Sequence, residues 1–280
     1  MQIKASDVKK LREKTGAGML DCKNALSKAE GDFEKAEKYL KEMGLAAAAK
    51  RSGRTTSEGR IFTKVTPEAA VILELNCETD FVARNNDFIA TGEKLMDMVL
   101  ENKLTEKTEE LESVVKDTIS KIKENITLNR FALMNVGENE FITDYVHGEG
   151  KIGVLVKTKV EDPALLENAD VKQFSFDSAL HIAAFNPLYL SKDHVEPKYL
   201  EEQEDIFRKQ AEKLDKPENV LQGIIKGKLN KHLSEITFLD QPFVKDDKKS
   251  VSKVMSELSK NLGSKVDVVE YIYFGLGLGS

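Results

Sequence analysis

Apolar positions recur at helical spacing through residues 1–45. Val8 and Leu11 lie one turn apart behind Ser6, a residue suited to capping a helix start, and Thr15-Gly16-Ala17-Gly18 ends the period. Met19, Leu20, Cys22, Ala25, Leu26 and Ala29 resume it and predict a second helix closed by Gly31. Asp32 is expected to cap a third, with Phe33, Ala36, Tyr39, Leu40 and Met43 facing inward. Three short helices around one apolar centre predict a small bundle. Residues 46–60 then change character: Ala46 to Ala49, Lys50, Arg51, Ser52, Gly53, Arg54 and Thr55 to Ser57 offer no large apolar side chain. This stretch is expected to be a linker and a domain boundary.

Beyond it the period shortens. Ile61 to Val65 and Ala70 to Cys77 read as paired strands around a turn at Thr66-Pro67-Glu68. A helix is predicted from about Asp87, carrying Phe88, Gly92, Leu95, Met96 and Val99. A second follows Thr105 with Leu111, Val114, Val115, Ile119, Ile122 and Ile126. Phe131 to Val136, Phe141 to Val146 and Ile152 to Val160 read as strands, and a helix is expected over about 164–185. Residues 196–236 carry Tyr199, Gln203, Ile206, Gln210 and Leu214, then Leu221, Ile224, Ile225, Leu229, Leu233 and Ile236, either side of Asp215-Lys216-Pro217. That pattern predicts a helical hairpin, lying on the body or projecting from it. Pro242-Phe243-Val244, a helix over 251–262 and a strand over 266–274 complete the chain, and the glycines of Gly275 to Gly279 suggest a frayed or closely packed edge. Antiparallel strands alternating with helices give the α+β class.

Composition narrows the function. The 280 residues carry 42 Lys+Arg against 48 Asp+Glu, a net charge of −6, and no Trp among few aromatics. An acidic excess with few stacking residues argues against broad nucleic-acid binding. Lys50, Arg51, Arg54 and Arg60 form a local basic stretch, and an RNA-associated factor acting through residues 50–60 is the alternative reading. Two cysteines, Cys22 and Cys77, are too few for a disulfide framework or a structural zinc site and read as buried thiols. No apolar run is long enough for a membrane span, the N-terminus lacks signal or transit character, and a cytoplasmic setting is expected.

The chain is poor in catalytic motifs. Gly148-Glu149-Gly150-Lys151-Ile152-Gly153 matches G-x-G-x-x-G, but that fingerprint requires a helix to follow, and Ile152 to Val160 reads as a strand. The match is therefore a hairpin turn, and no cofactor is implied. Among His147, His181, His194 and His232 there is no ligand pair; His181 reads as a core residue, His194 and His232 as surface groups. Two classes remain: an interaction factor, or an enzyme whose site is assembled from scattered residues.

Two segments decide between them. Leu11-Arg12-Glu13-Lys14-Thr15-Gly16-Ala17-Gly18-Met19-Leu20-Asp21-Cys22-Lys23-Asn24-Ala25-Leu26 and Glu74-Leu75-Asn76-Cys77-Glu78-Thr79-Asp80-Phe81-Val82-Ala83-Arg84-Asn85 resemble, in order and separation, the signature segments of the bacterial translation elongation factor Ts family. Further similarity lies at His147-Gly148 with Ile152 to Val156, at His181-Ile182-Ala183-Ala184 and at Gln241-Pro242-Phe243-Val244, so the resemblance spans the chain.

The resemblance implies a ubiquitin-associated-like three-helix domain over residues 1–54. It then implies an α+β core of two related subdomains, 55–140 and 141–280, with the 196–236 hairpin inserted in the second. It implies guanine-nucleotide exchange on elongation factor Tu, with no chemical reaction catalysed, no nucleotide bound and no membrane partner. Thr79, Asp80, Phe81 and Val82 would enter the partner's G domain, with Phe81 as the wedge that disturbs its Mg²⁺ and phosphate region. Arg12, Met19, Leu20, Ile122 and His147 match further contact positions. Without the resemblance these residues have plainer roles: Thr79 or Asp80 caps a helix, Phe81, Met19 and Leu20 are core, and Arg12 is solvated. Two departures stand out. Lys123 occupies a position where family members commonly have Gly, and many members continue past the last strand into a C-terminal helical module whose contacts are expected to be absent here.

Overall fold

The computed structural model describes residues 3–278 apart from 213, 215 and 216. Asp215 and Lys216 of the expected hairpin turn, and Gly279 and Ser280, therefore lie outside the described residues.

Helices α1 (Ala5–Thr15), α2 (Met19–Lys28) and α3 (Phe33–Arg51) form the N-terminal bundle around Val8, Leu11, Cys22, Ala25, Leu26 and Ala36. Gly16 ends α1 at φ 67°, the left-handed conformation that a helix stop favours in glycine. Asp32 caps α3, accepting from the Lys35 N–H at 3.0 Å. Two expectations fail. Ser6 is no cap: Lys4 holds that position, and Ser6 sits inside the first turn beside Asp7. Met43 is exposed rather than inward.

The larger correction concerns residues 46–60. Helix α3 runs on through Ala46 to Ala49 as far as Arg51, so only residues 52–57 form a connection before β1 (Glu58–Val65). Alanine is the best helix former, so this stretch stays helical without large apolar residues. Small side chains also let α3 approach its neighbour closely: a Cβ on Gly44 would sit 2.2 Å from the Ser120 hydroxyl oxygen, and Ala48 is buried in the next core. The basic stretch is thereby divided between a helix, a connection and a strand. Lys50 and Arg51 lie in a helix, Arg60 in a strand, and Arg54 pairs with Glu78 at 3.3 Å.

Strands β1 and β2 (Ala69–Cys77) form a hairpin. A single turn, α4 (Asp80–Ala83), leads into α5 (Asn86–Asn102) and α6 (Glu109–Ile122), and β3 (Ile126–Asn135) returns to pair with β2. Ile126 is thus a strand residue and not the end of α6, because Lys123 turns the chain out of the helix at φ 69°. The pattern then repeats. Strands β4 (Glu140–His147) and β5 (Ile152–Val160) form a hairpin, and α7 (Ala169–Phe185) follows. The expected helix start near Ala164 is instead a short 3₁₀ turn over Pro163–Leu165, separated from α7 by the Asn168 cap. Next come the hairpin arms α8 (Pro197–Ala211) and α9 (Glu218–Ile236), then β6 (Pro242–Phe243), β7 (Asp246–Ser250) and α10 (Val251–Leu262). Finally β8 (Val266–Gly275) pairs with β5.

Both three-stranded sheets are antiparallel, in the orders β1-β2-β3 and β4-β5-β8. The central strands β2 and β5 each have 9 residues, and each shifts register after its sixth, at Glu74 and Lys157. The residues opposite are Arg130 and Glu270, the fifth of β3 and of β8. Each facing pair forms an ion pair, with the signs reversed: Arg130–Glu74 at 2.8 Å and Lys157–Glu270 at 2.6 Å. The sheets stack through Ile61, Ala70, Ile72, Met134, Ile142, Leu155 and Phe274. Outside the first, α5 and α6 cover Val71, Leu73 and Leu75; outside the second, α7 and α10 cover Val154 and Val156. This places β2 between two apolar layers and explains its near-continuous apolar run.

The arms α8 and α9 pack on each other, with Ala211, Ile225 and Leu233 buried and Tyr199 Oη 2.9 Å from His232 Nε2. His232 is therefore half-buried in the hairpin and not a simple surface group. Among the described residues no helix is long and apolar enough to cross a membrane.

Candidate functional site

The segment after β2 cannot stay a strand, because Cys77 ends the ladder and Thr79 opens a helical turn. The Thr79 hydroxyl oxygen accepts from the Val82 N–H at 3.4 Å, and Asp80 adds negative charge in that turn. The four residues of α4 are held by few bonds of their own. Ala83 is buried and Val82 packs on the first core, which leaves Phe81 pointing away at 80% exposure. Phe81 is the most exposed large apolar side chain among the described residues. Thr79 thus takes the capping role foreseen for it, while the core role for Phe81 is excluded.

Three anchors fix this turn. Glu124 accepts from the Thr79 N–H at 3.1 Å and from the Thr79 hydroxyl at 2.9 Å, one bond to each carboxylate oxygen. The Cys77 thiol donates to the Thr79 carbonyl at 3.1 Å, and burial, with Glu124 nearby, pushes that thiol up to about 12. On the far side Arg84 contacts Glu149 at 3.3 Å, in the β4–β5 turn, and lies 3.9 Å from Asp80. That β4–β5 turn is the G-x-G-x-x-G match, with Gly148, Glu149 and Gly150 all at positive φ and a strand following. It is a hairpin turn, as its β-branched sequel predicts.

The other expected contact residues lie on β4, α6, α2 and α1. His147 is exposed at the end of β4, two residues from Glu149, with Tyr145 Oη 2.9 Å from its Nδ1. Ile122 is half-buried at the end of α6, two residues before Glu124. Lys123 reaches Asp21 at 3.4 Å, so α2 lies against the same corner. Met19 and Leu20 head α2 at 48% and 69% exposure, so neither is core, and Arg12 is exposed on α1.

Sequence reasoning missed Glu124, Arg84, Glu149 and Asp21, whose partners lie far off along the chain. It also missed Glu78 and Asn125. The Asn125 N–H donates to Glu78 at 2.6 Å, and the Asn125 side-chain amide donates to the Arg54 carbonyl at 2.8 Å. The only signal was the departure at Lys123, a non-glycine residue where the chain turns left-handed.

The remaining signature histidine is structural. The Val244 N–H donates to His181 Nδ1 at 3.2 Å, so Nε2 carries the proton and donates to Gln241 at 2.8 Å. Burial lowers the His181 pKa, an effect that the Gln241 bond opposes.

A sequence profile described as elongation factor TS matches residues 78–278. The chain is 49% identical over 279 residues to elongation factor Ts of Treponema denticola, covering 100% of both chains. It is 47% identical over 278 residues to that of Borrelia hermsii, covering 99% of this chain and 100% of the relative. With the protein of Borreliella burgdorferi strain B31 the figure is 48% over 276 residues, covering 98% of this chain and 99% of the relative.

Proposed function

Because the chain belongs to the elongation factor Ts family, and so to the translation elongation factors, we propose that it is a guanine-nucleotide exchange factor that binds elongation factor Tu·GDP and promotes GDP release. The observation that carries this reading is Phe81, an apolar residue left 80% exposed on a turn anchored through Thr79, Val82 and Ala83. A single exposed apolar residue is ordinary on a protein surface. A large one on an anchored turn is suited to filling a cavity in a partner.

In this reading Phe81, with Thr79, Asp80 and Val82, enters the G domain near its Mg²⁺ and phosphate groups. That ion neutralises the phosphate oxygens, so disturbing it weakens the nucleotide's hold. Binding of the factor and of GDP then oppose each other by one reciprocal coupling energy. A thousandfold weakening of GDP takes about 4 kcal/mol. Burying one Phe supplies about 1.5–3 kcal/mol, so Phe81 alone falls short. Met19, Leu20 and Arg12 on the bundle, with Ile122 and His147, supply the remaining grip. We read residues 1–54 as the N-terminal domain, and 55–140 and 141–280 as the two core halves. The factor alters no covalent bond and binds no nucleotide itself, and its place of work is the cytoplasm.

The test is release of labelled GDP from same-species elongation factor Tu. Acceleration at substoichiometric amounts of this protein is expected, and none from folded protein refutes the reading. The alternative, RNA binding through residues 50–60, would be favoured instead by a strong, salt-dependent affinity for RNA.

A further inference from the structure

We propose that Glu124 is a positioning residue for exchange, holding the Phe81 turn in its working pose; this rests on the exchange reading above. One helical turn has too few internal hydrogen bonds to keep its own shape. Val82 and Ala83 seat α4 from below, and at its N-terminal end the Cys77 thiol holds the Thr79 carbonyl while one carboxylate takes both the N–H and the hydroxyl of Thr79. Hydrogen bonds to a charged acceptor are roughly twice as strong as neutral ones. Two of them on one residue fix the direction from which the chain enters α4, and so the direction in which Phe81 leaves it.

The placement of Glu124 gives it a second consequence. It lies in the short connection between α6 and β3, immediately after the left-handed Lys123. In that connection Lys123 contacts Asp21, beside Leu20 on α2, and Asn125 holds both Glu78 and the Arg54 carbonyl. The bundle, the connection from α3 and the Phe81 turn therefore share one anchor. Docking of the Met19–Leu20 surface on a partner delivers Phe81 at a set distance and angle.

A positioning residue acts on the rate after docking. Misplacing a working group by about 1 Å can cost a hundredfold in rate. The assay is stopped-flow release of fluorescent GDP over a concentration series of the full-length factor, separating the maximal rate from the half-saturating concentration, with circular dichroism melts alongside. For Glu124→Ala the maximal rate should fall by about tenfold to a hundredfold while the half-saturating concentration shifts far less. Glu124→Gln should recover most of the rate, since its amide oxygen still accepts from the Thr79 N–H and its NH₂ can donate to the hydroxyl oxygen. Thr79→Val, which removes one of the two bonds together with the cap bond from the Val82 N–H, should also lower the maximal rate. A wild-type maximal rate in Glu124→Ala overturns the proposal. If that variant does not fold, Thr79→Val decides alone, and an unchanged maximal rate in it is equally fatal. Phe81→Ala separates the two readings. If it exchanges normally, the exchange reading fails at its wedge. If it is impaired while Glu124→Ala is not, only the positioning role falls.

Discussion

Replacing Phe81 by alanine separates folding from function in a single protein. With the ring 80% exposed, about one-fifth of it is buried in the free chain, and a fully buried Phe contributes about 1.5–3 kcal/mol, so truncation should cost only about 0.3–0.6 kcal/mol of stability. Phe88, seven positions on and fully buried, is the internal control, and its truncation should cost about 3–5 kcal/mol. In the complex the remaining four-fifths of the Phe81 ring is what the partner covers. That amounts to about 1.2–2.4 kcal/mol, or about an 8- to 60-fold slower stimulated release of GDP at 1.36 kcal/mol per tenfold. Urea melts of both variants, paired with stopped-flow release of fluorescent GDP from elongation factor Tu, give all the required numbers. A Phe81→Ala protein that melts like Phe88→Ala, or that exchanges at the wild-type rate, refutes the reasoning.

Three further outcomes are expected. His181 is neutral in the fold with its pKa lowered below the ordinary 6.5, so the unfolded chain binds more protons below that value. Stability should therefore be complete above about pH 6.5–7 and fall on acidification from there through the lowered folded pKa, by at most about 1.4 kcal/mol per pH unit; in His181→Gln this part of the slope in a urea-melt pH series should vanish. Replacing Met19 and Leu20 together by serine should leave the melting temperature within a few degrees of wild type, because both are exposed, yet raise the half-saturating concentration in the exchange assay. Arg130→Met should destabilise the protein by about 3–5 kcal/mol in urea melts, since it leaves the fully buried Glu74 carboxylate without its cation and with only the Asn76 amide and the Gly277 N–H as donors, and Glu74→Gln in the same chain should recover part of the loss.

The helices and strands were largely legible because most have one apolar face at their own period, and β2, apolar on both, is a short run bounded by turn residues. The errors fall where that signal is silent. Ala46 to Ala49 carry no large side chain, so nothing in the pattern separates a helix packed through its small residues from a loop. Ile126 continues the period of α6 by coincidence, and only the left-handed turn at Lys123 moves it into β3. Ser6 had the chemistry of a cap without its backbone conformation. At the candidate site the local part was readable, since Thr79 caps its own turn. The part that gives the turn a fixed direction was not, because Glu124 is 45 residues from Thr79 and a carboxylate's partner leaves no trace in the spacing.

The sign-reversed ion pairs in the two sheets have a consequence for how the chain sorts its strands. The halves share a strand count, a strand length and a bulge position, so each returning strand has two geometrically acceptable hosts. Tandem relatives of this kind are prone to misassembly by exchange. If β8 entered the first sheet in the native register, Glu270 would face the buried Glu74; if β3 entered the second, Arg130 would face Lys157. Each wrong threading thus sets like charges opposite one another, and in the first of them the buried Glu74 has no water to screen it. Polarity at one rung of each ladder labels the returning strand with its address, and two halves with like sheets can fold in one chain without trading parts.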